Sequence, residues 1–551
     1  MKYLFYILFF FKLGVNAQSC NYWSTYSGKI GSDQVKGMTL DNNKNSYIIM
    51  QTDSPSLTVM PGLISDVING INDAYLAKFD SCGNFIWGTY LGTSNFDSGE
   101  KIVMCADGNI AFTGYSQGTG LPTTAACFQP NNAGQADCFL GKITPNGNLL
   151  WLTYFGKAGS DLAYDLSCDF NGNIFIGGTT TSTNFFTNTS SFQQNFGGST
   201  DAFIAKFSAA GSLKWCTYYG GLGSEDIHVL TTDVFGNIIG GGGSNSFNLS
   251  TSAGCIQPSK DAGLDCYLIK LDSTGNRIFS TYLGGAGQDD AWGIAADGLG
   301  NLYMSGQTTS SNFTTTTAAY QTTLSGMTDL YFSKLSPVGN LMYSTLIGGS
   351  DVDLLNRMKI HNYELYILAT TASTNFPMLG TPNYSTLPGS QNFVVIRLNS
   401  AGQPNYSTYF GSVGGYDNGN DLAITTNHLF FCGQSSSSNY PTTAACFQNS
   451  YGGNDDGVLT KLPNNNASLI TVLNKPTLLA EQIILFPNPT KDKLRIKNGN
   501  SVITTIEIIN YLGQVVKESE EENSEIDVKE LQEGIYFLRI NDLIYKFIKV
   551  N

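Results

Sequence analysis

Thr89-Tyr90-Leu91-Gly92 is one copy of a Thr-Tyr-x-Gly sequence that returns along this chain at a nearly constant interval. The copies, one of them a looser variant, begin at Thr25, Thr89, Thr153, Thr217, Thr281, Thr345 and Thr408, so successive starts are 64 residues apart five times and 63 apart once. A constant period with almost no insertions indicates copies of one structural unit rather than unrelated domains.

Each period contains four short strand patterns. In the third copy these are Asp161–Cys168, Ile174–Ile176, Asp201–Phe207 and Leu213–Tyr218, and Asn171-Gly172-Asn173 between the first two has the composition of a tight hairpin turn. Four antiparallel strands per period make one propeller blade. Seven copies therefore predict an all-β fold, a seven-bladed β-propeller.

The two ends of the repeat array complement each other. The last copy stops after its third strand, Asp456–Leu462, and the chain begins with an orphan fourth strand, Tyr22–Tyr26. We expect the N-terminal strand to complete the last blade, because that pairing removes both open edges and closes the ring.

The repeat resembles the SBBP (seven-bladed β-propeller) repeat. The matching features are the Thr-Tyr-Leu-Gly sequence, the strand Asp201–Phe207 and the linker Asn375-Phe376-Pro377. The resemblance covers Cys20 to Leu462, so residues 18–462 are assigned to the propeller; the sixth copy departs most, with Asn392 where the others have Asp. It implies a bacterial surface location and brings no general activity.

The N-terminus has the pattern of a signal peptide, residues 1–17. Lys2 precedes the apolar run Tyr3–Phe11, and Val15-Asn16-Ala17 is a small-residue cleavage site. The run is too short to span a bilayer, and no transmembrane segment is expected in the mature chain. The net charge of −14 argues against nucleic acid and anionic membranes as partners. We expect an exported monomer.

Two cysteine pairs occupy equivalent positions in different repeats. Cys127 and Cys138 flank one third-strand start, as Cys255 and Cys266 do another. An exported protein can form disulfides, so each pair is predicted to be a bridge.

Residues 463–480 are predicted to be a linker, and residues 481–551 a separate module. The module contains 12 acidic and 9 basic residues and short strand patterns that suit a small β-sandwich. It resembles the type A C-terminal sorting domain of the type IX secretion system, through Phe486-Pro487-Asn488-Pro489, Asn510–Gly513, Gly534–Arg539 and Lys546–Val550. The resemblance implies the type IX secretion machinery as a partner; a generic immunoglobulin-like binding module is the alternative.

The sequence offers little catalytic chemistry. The three histidines, His228, His361 and His428, fall in different repeats without shared spacing, which disfavours a zinc site or a catalytic triad built from them. Gly114–Gly118 matches a nucleophile elbow, but its Ser116 is an ordinary repeat position at a strand end. No catalytic residue is therefore predicted, and the protein is expected not to be an enzyme.

A carboxylate returns just before the first strand of each repeat. The column consists of Asp33, Asp97, Asp161, Glu225, Asp289, Asp353 and Asp417. One interpretation is a rim of exposed carboxylates at the channel mouth that binds Ca²⁺ or another hard cation; no other cofactor is indicated. The alternative is that each carboxylate caps backbone N–H groups in its own turn.

These patterns together predict a secreted or cell-surface propeller, associated with the outer membrane, that acts as a non-enzymatic binding or structural scaffold. Its ligand would be a glycan or a protein, with adhesion as one use. The variable stretches Asn312–Thr317 and Asn439–Thr443 carry side chains suited to such contacts. The alternative is a hydrolase or lyase that acts on extracellular polysaccharide.

Overall fold

A computed structural model describes residues 20–444, 446–464, 484–486, 490–497, 506–510, 514–519, 525–540 and 543–550. The predicted signal peptide and nearly all of the predicted linker lie outside these residues, and the predicted domain boundaries stay predictions. The regular structure within the described ranges is all β. None of it forms a helix long and apolar enough to cross a membrane.

Residues 20–464 form seven four-stranded antiparallel sheets among the described residues. Six of the sheets follow chain order: β2–β5 (Asp33–Leu40, Ser46–Thr52, Asp73–Phe79, Phe85–Leu91), β6–β9 (Asp97–Met104, Ile110–Ser116, Asp137–Ile143, Leu149–Phe155), β10–β13 (Asp161–Cys168, Ile174–Thr180, Asp201–Phe207, Leu213–Tyr219), β14–β17 (Val229–Thr232, Ile238–Ser244, Asp265–Leu271, Arg277–Leu283), β18–β21 (Asp289–Ala296, Leu302–Thr308, Asp329–Leu335, Leu341–Ile347) and β22–β25 (Asp353–His361, Glu364–Thr371, Asn392–Leu398, Pro404–Phe410). The last sheet combines β1 (Trp23–Ser27) with β26 (Asp417–Ile424), β27 (His428–Ser435) and β28 (Asp456–Pro463).

The predicted pairing of the N-terminal strand with the last repeat is confirmed. Strand β1 lies antiparallel to β28, in a register that runs from Trp23 opposite Lys461 to Ser27 opposite Gly457. A disulfide between Cys20 and Cys82 joins the start of this strand to the β4–β5 turn of the first sheet. Strand β1 is thus part of the last sheet, and the disulfide attaches its start to the first sheet.

The sheets pack face to face around a shared interior. The first strand of each sheet contacts the first strand of the next, and β26 contacts β2. The apolar clusters lie between neighbouring sheets; one of them joins Leu140 of β8 to Ile176 of β11. The repeated fourth-strand tryptophans bridge the same junctions, since Trp87 Nε1 donates to the carbonyl of Pro145 one repeat later. These repeated sheets are consistent with propeller blades.

The C-terminal part contains two further sheets around one apolar cluster. One sheet has the order β29–β30–β33 (Ile484–Phe486, Lys493–Lys497, Glu525–Asp527), and the other β32–β31–β34–β35 (Val515–Ser519, Ile506–Asn510, Gly534–Ile540, Leu543–Lys549). Leu494 from the first sheet and Ile508 and Leu538 from the second belong to the same buried cluster. Two sheets around one apolar cluster are consistent with the small β-sandwich expected from the sequence.

The predicted disulfides are not formed. Cys127, Cys138, Cys255 and Cys266 are free, and the bridges within the described residues are Cys20–Cys82 and Cys105–Cys168. The prediction was wrong because the two cysteines of each predicted pair lie in different surroundings, one in a buried strand and the other in a half-buried turn.

In each predicted pair one cysteine lies in a strand and the other in a turn. Cys138 is fully buried in β8 within an apolar cluster, whereas Cys127 lies half-buried in a turn and donates its N–H to Thr124. The thiol of Cys266 likewise faces the hydroxyl of Tyr331, at 3.1 Å, and not Cys255.

Candidate functional site

The repeated carboxylate column lies inside the sheet junctions. All seven members are buried, with at most 1% of the residue surface exposed. Asp161 accepts hydrogen bonds from the hydroxyls of Thr180 and Ser182 and from the N–H of Lys157, four residues earlier. The same N–H contact, from the residue four or five positions before, holds Asp33, Asp97, Glu225, Asp289, Asp353 and Asp417.

The prediction of an exposed carboxylate rim is therefore wrong, and the capping alternative describes the geometry. Each side chain turns back toward its own loop and the end of the adjacent second strand, because those N–H and hydroxyl groups replace the water that burial removes. Burial also raises the pKa of Asp161.

A second carboxylate, at the start of each third strand, lies beside the first. Asp137 packs against Gly156 of the repeated tetrapeptide, where any Cβ would collide with its carboxylate. Burial, together with the nearby carboxylate of Asp161, raises the pKa of Asp137 to about 6. One oxygen of Asp137, Oδ1, is buried with no hydrogen-bond partner among the described residues. In the sixth repeat Asn392 takes the place of the second carboxylate, and its amide donates to Asp417 over 2.6 Å.

This pairing makes a testable prediction for Asp137→Asn. A carboxyl group whose pKa is raised by folding stabilises the protein below its unfolded pKa of about 3.9, and that contribution is lost as the pH rises through about 6. The asparagine side chain at position 137 of the variant stays uncharged at every pH. Between pH 5 and pH 7.5, the variant should lose roughly 1 kcal/mol less unfolding free energy than the wild type in urea titrations. Asp66→Asn, in an exposed loop, is the control and should follow the wild type; equal pH dependence of both variants would contradict the raised pKa of Asp137.

A cavity of about 660 Å³ opens where the first strands meet, and residues of all seven sheets line it. We call it the mouth cavity. One residue per repeat reaches it from the position three after the repeated carboxylate. These residues are Lys36, Glu100, Tyr164, His228, Trp292, Asn356 and Asn420. The carboxylate three positions earlier recurs in all seven blades, whereas these cavity-lining side chains are of six types, with Asn present twice.

β-Bulges explain why this column faces the cavity. In six of the sheets the pairing between the first two strands skips this residue, as at Tyr164 between Ala163 and Asp165. The unpaired extra residue of a bulge bends the strand and redirects its side chain. In the fourth sheet β14 begins only at Val229, directly after His228.

The imidazole of His228 lies between two carboxylates at one side of the mouth cavity. Its Nε2 is 3.4 Å from Asp226 and its Nδ1 is 3.4 Å from Asp290, on the next sheet. The ring stacks on Trp292 at 4.0 Å between centroids. Burial by itself would lower the pKa of His228, but the charges of Asp290 and Asp226 outweigh it and raise the pKa.

A buried cluster of four charges lies next to the mouth cavity, which one of its members, Arg357, lines. Lys101 Nζ lies 2.6 Å from Asp421, and Arg357 lies 3.0 Å from Asp165 and 3.5 Å from Asp421. Each residue is one position past the bulge, and no side chain is more than 10% exposed. Although burial opposes it, the cations Lys101 and Arg357 lower the pKa of Asp421 to about 2.

Several polar side chains at the cavity are free to meet a ligand. The amides of Gln34, Gln307 and Gln434 line it and make no side-chain hydrogen bond within the described ranges. The ring of Tyr164 also lines it, with its centroid 5.9 Å from that of His228. The wall therefore combines amides with aromatic surface.

Sequence reasoning missed this site although its signal was present. His361 closes β22 and His428 opens β27. His228 instead finds Asp226 and Asp290. Comparing the position three after each repeated carboxylate would have shown polar and aromatic side chains of six types in seven repeats.

Comparisons with known proteins agree with the two-part organisation. Residues 150–186 and 278–314 match the β-propeller repeat family, and residues 484–549 match the secretion system C-terminal sorting domain. The chain thus carries SBBP propeller repeats and a type IX sorting domain at its C-terminus.

Individual relatives are distant. An uncharacterized WD repeat-containing protein of Acanthamoeba polyphaga mimivirus is 22% identical over 240 residues, and the regulatory protein FlaEY of Caulobacter vibrioides is 23% identical over 158. These matches cover 38% and 27% of this chain and 17% of each relative, so the chain spans about a sixth of their length. A polysaccharide lyase described as an ulvan lyase is 10% identical at a TM-score of 0.41, covering 74% of this chain and 92% of its own. That likeness is too low to carry an argument.

Proposed function

We propose that this protein is an exported seven-bladed β-propeller, closed by its N-terminal strand, that binds a neutral glycan in the mouth cavity without chemical turnover. The observation that carries the proposal is the bulge column, whose cavity-facing side chains are of six types in seven blades, although the buried carboxylate three positions earlier recurs in every blade. A binding site needs different groups at different points, whereas a scaffold needs the same group in every blade.

Three observations support the closed ring. The seven first strands contact one another in succession, from β2 to β26 and back to β2. Strand β1 completes the sheet of β26–β28, so the same chain provides both edges of the last blade. The Cys20–Cys82 bridge ties that blade to the first.

The chemistry of the wall favours a neutral, hydroxyl-rich ligand. Free glutamine amides can donate to and accept from sugar hydroxyls, and aromatic rings pack against the apolar faces of sugars. The charges nearby balance, because Lys36 is matched by Glu100, and the buried cations by Asp165 and Asp421. A volume of about 660 Å³ lies within the usual range for small-ligand sites.

The sorting domain supports a secreted or surface location, with the type IX machinery as the partner that reads it. An exported propeller of this kind meets glycans outside the cell. We therefore place the ligand among extracellular or surface polysaccharides.

Glycan binding makes a direct prediction for Gln307→Ala. In a glycan-array screen followed by calorimetry, the purified full chain should bind a neutral oligosaccharide, and the variant should bind it roughly tenfold more weakly, as expected for the loss of about one hydrogen bond. Gln135→Ala, at an exposed loop position outside the cavity lining, is the matched control and should bind like the wild type. Equal loss in both variants, or no bound glycan, would overturn the proposal.

One observation favours the alternative, an enzyme that acts on polysaccharide. His228 and Tyr164 lie side by side in the cavity, and both residue types serve as general acids or bases. Incubating the bound glycan with the protein and measuring chain length separates the two functions, since shortening of the polymer would establish turnover.

A further inference from the structure

We propose that Asp226, His228 and Asp290 bind a divalent transition metal, Zn²⁺ in the first instance, at the wall of the mouth cavity. The proposal goes beyond glycan binding and does not depend on it. The metal would bring together two ligands from the fourth sheet's first-strand segment and one from the fifth.

The three side chains have the composition and spacing of a metal site. Each offers one ligand atom, and these atoms all lie within 4.8 Å of one another. Bonds of roughly 2.0–2.1 Å to zinc in a tetrahedron place ligand atoms about 3.3 Å apart. The distance from His228 Nδ1 to Asp290 Oδ2 is 3.4 Å, which fits that spacing with Nδ1 as the ligand atom of the imidazole.

The same distances are long for direct hydrogen bonds between the imidazole and the carboxylates. A hydrogen bond between a charged imidazole and a carboxylate is usually about 2.7–2.9 Å long. Both contacts of His228 are 3.4 Å, and its Nδ1 is buried with no hydrogen-bond partner within the described structure. A buried nitrogen at ligand distance from a carboxylate is the independent sign that something is to be held there.

Outer contacts fix the carboxylates in place. Asp226 Oδ1 accepts the N–H of Gly243 at 2.8 Å, and Asp290 Oδ1 accepts the N–H of Ala291 at 2.8 Å. The indole Nε1 of Trp292 donates to Asp290 Oδ2 at 3.0 Å, while its ring stacks on His228. Such second contacts orient metal ligands and typically strengthen binding.

The site is open on the cavity side. The side chains of His228, Asp226 and Asp290 are 16%, 28% and 18% exposed, and His228 lines the mouth cavity. Three protein ligands leave a fourth position for a water molecule or a ligand oxygen. Two carboxylates and a neutral imidazole also balance the charge of a divalent ion, once the His228 proton is released.

The test is a Zn²⁺ titration of the chelator-treated full chain by calorimetry at pH 7.5, repeated with Co²⁺ to record its visible absorption. We expect one ion per chain and a Co²⁺ spectrum typical of low coordination. His228→Gln should weaken binding more than about 100-fold, because removing even an outer contact typically costs 10–100-fold.

His361→Gln and Asp66→Asn are the matched controls, because both residues lie outside the cluster, and both variants should bind like the wild type. If His228→Gln does not fold, X-ray absorption spectroscopy of the zinc-loaded wild type identifies the ligands instead. We expect one imidazole and oxygen ligands. No stoichiometric binding at millimolar Zn²⁺, sulfur ligation, or unchanged affinity in a folded His228→Gln would overturn the proposal.

Discussion

Replacing Tyr26 with alanine should lower the free energy of unfolding by roughly 3–5 kcal/mol, the usual cost of removing a buried aromatic side chain. Tyr26 has no exposed surface and lies in β1, where its hydroxyl donates to the carbonyl of Ser437 and accepts the N–H of Tyr440. The substitution leaves a cavity and two unsatisfied backbone groups at the joint between the chain's two ends. It therefore weakens the contact that closes the proposed ring.

Tyr22→Ala is the matched control, since Tyr22 precedes the same strand and is 42% exposed. Its effect should stay within about 0.5 kcal/mol. Urea unfolding followed by tryptophan fluorescence measures both variants. If Tyr26→Ala costs no more than Tyr22→Ala, the N-terminal strand does not hold the last blade in solution.

Replacing Asp421 with asparagine should cost roughly 3–5 kcal/mol, because it leaves Lys101 and Arg357 with a single buried partner, Asp165. The carboxylate also accepts the N–H of Met38 on the first sheet, so the change weakens a second junction. The pKa of Asp421 is lowered to about 2. Its contribution is thus present above an unfolded pKa of about 3.9 and is lost as the pH falls toward 2.

Asp107→Asn is the control for a single charge removed. Asp107 pairs with the buried Lys142 at 2.7 Å but is itself 42% exposed, so water can take its place beside the lysine and its loss should cost less than that of Asp421, about 1–2 kcal/mol. Comparing the two variants by urea unfolding at pH 7 measures the difference. Similar costs would mean that the four buried charges contribute little to holding the sheets together.

Much of the fold was predictable because it depends on short-range patterns. Strands β10 and β12 begin and end at the residues predicted from sequence, since alternating apolar residues and Gly-Asn turns act over a few positions. The pairing of β1 with β28 could also be predicted. The repeat array begins with an unpaired fourth strand and ends with a blade that lacks its fourth strand, so pairing the two completes the blade.

The site was less predictable because it depends on which side chains meet across sheets. Asp33 was expected at an exposed rim and is buried, since a sequence period shows that a residue recurs but not which way it points. The cysteine prediction failed for the same reason, as spacing did not separate the buried Cys138 from the turn residue Cys127.

The repeating unit, its strands and the orphan strand that pairs with the last sheet could all be read from the chain, because hydrophobic periodicity and turn residues act locally. The proximity of His228 to Asp290 and of Lys101 to Asp421, residues that are 62 and 320 positions apart, became visible only in the folded protein. Bulges on separate sheets turn these side chains toward one interior. Their proximity therefore depends on how the sheets pack around it, which no single strand encodes.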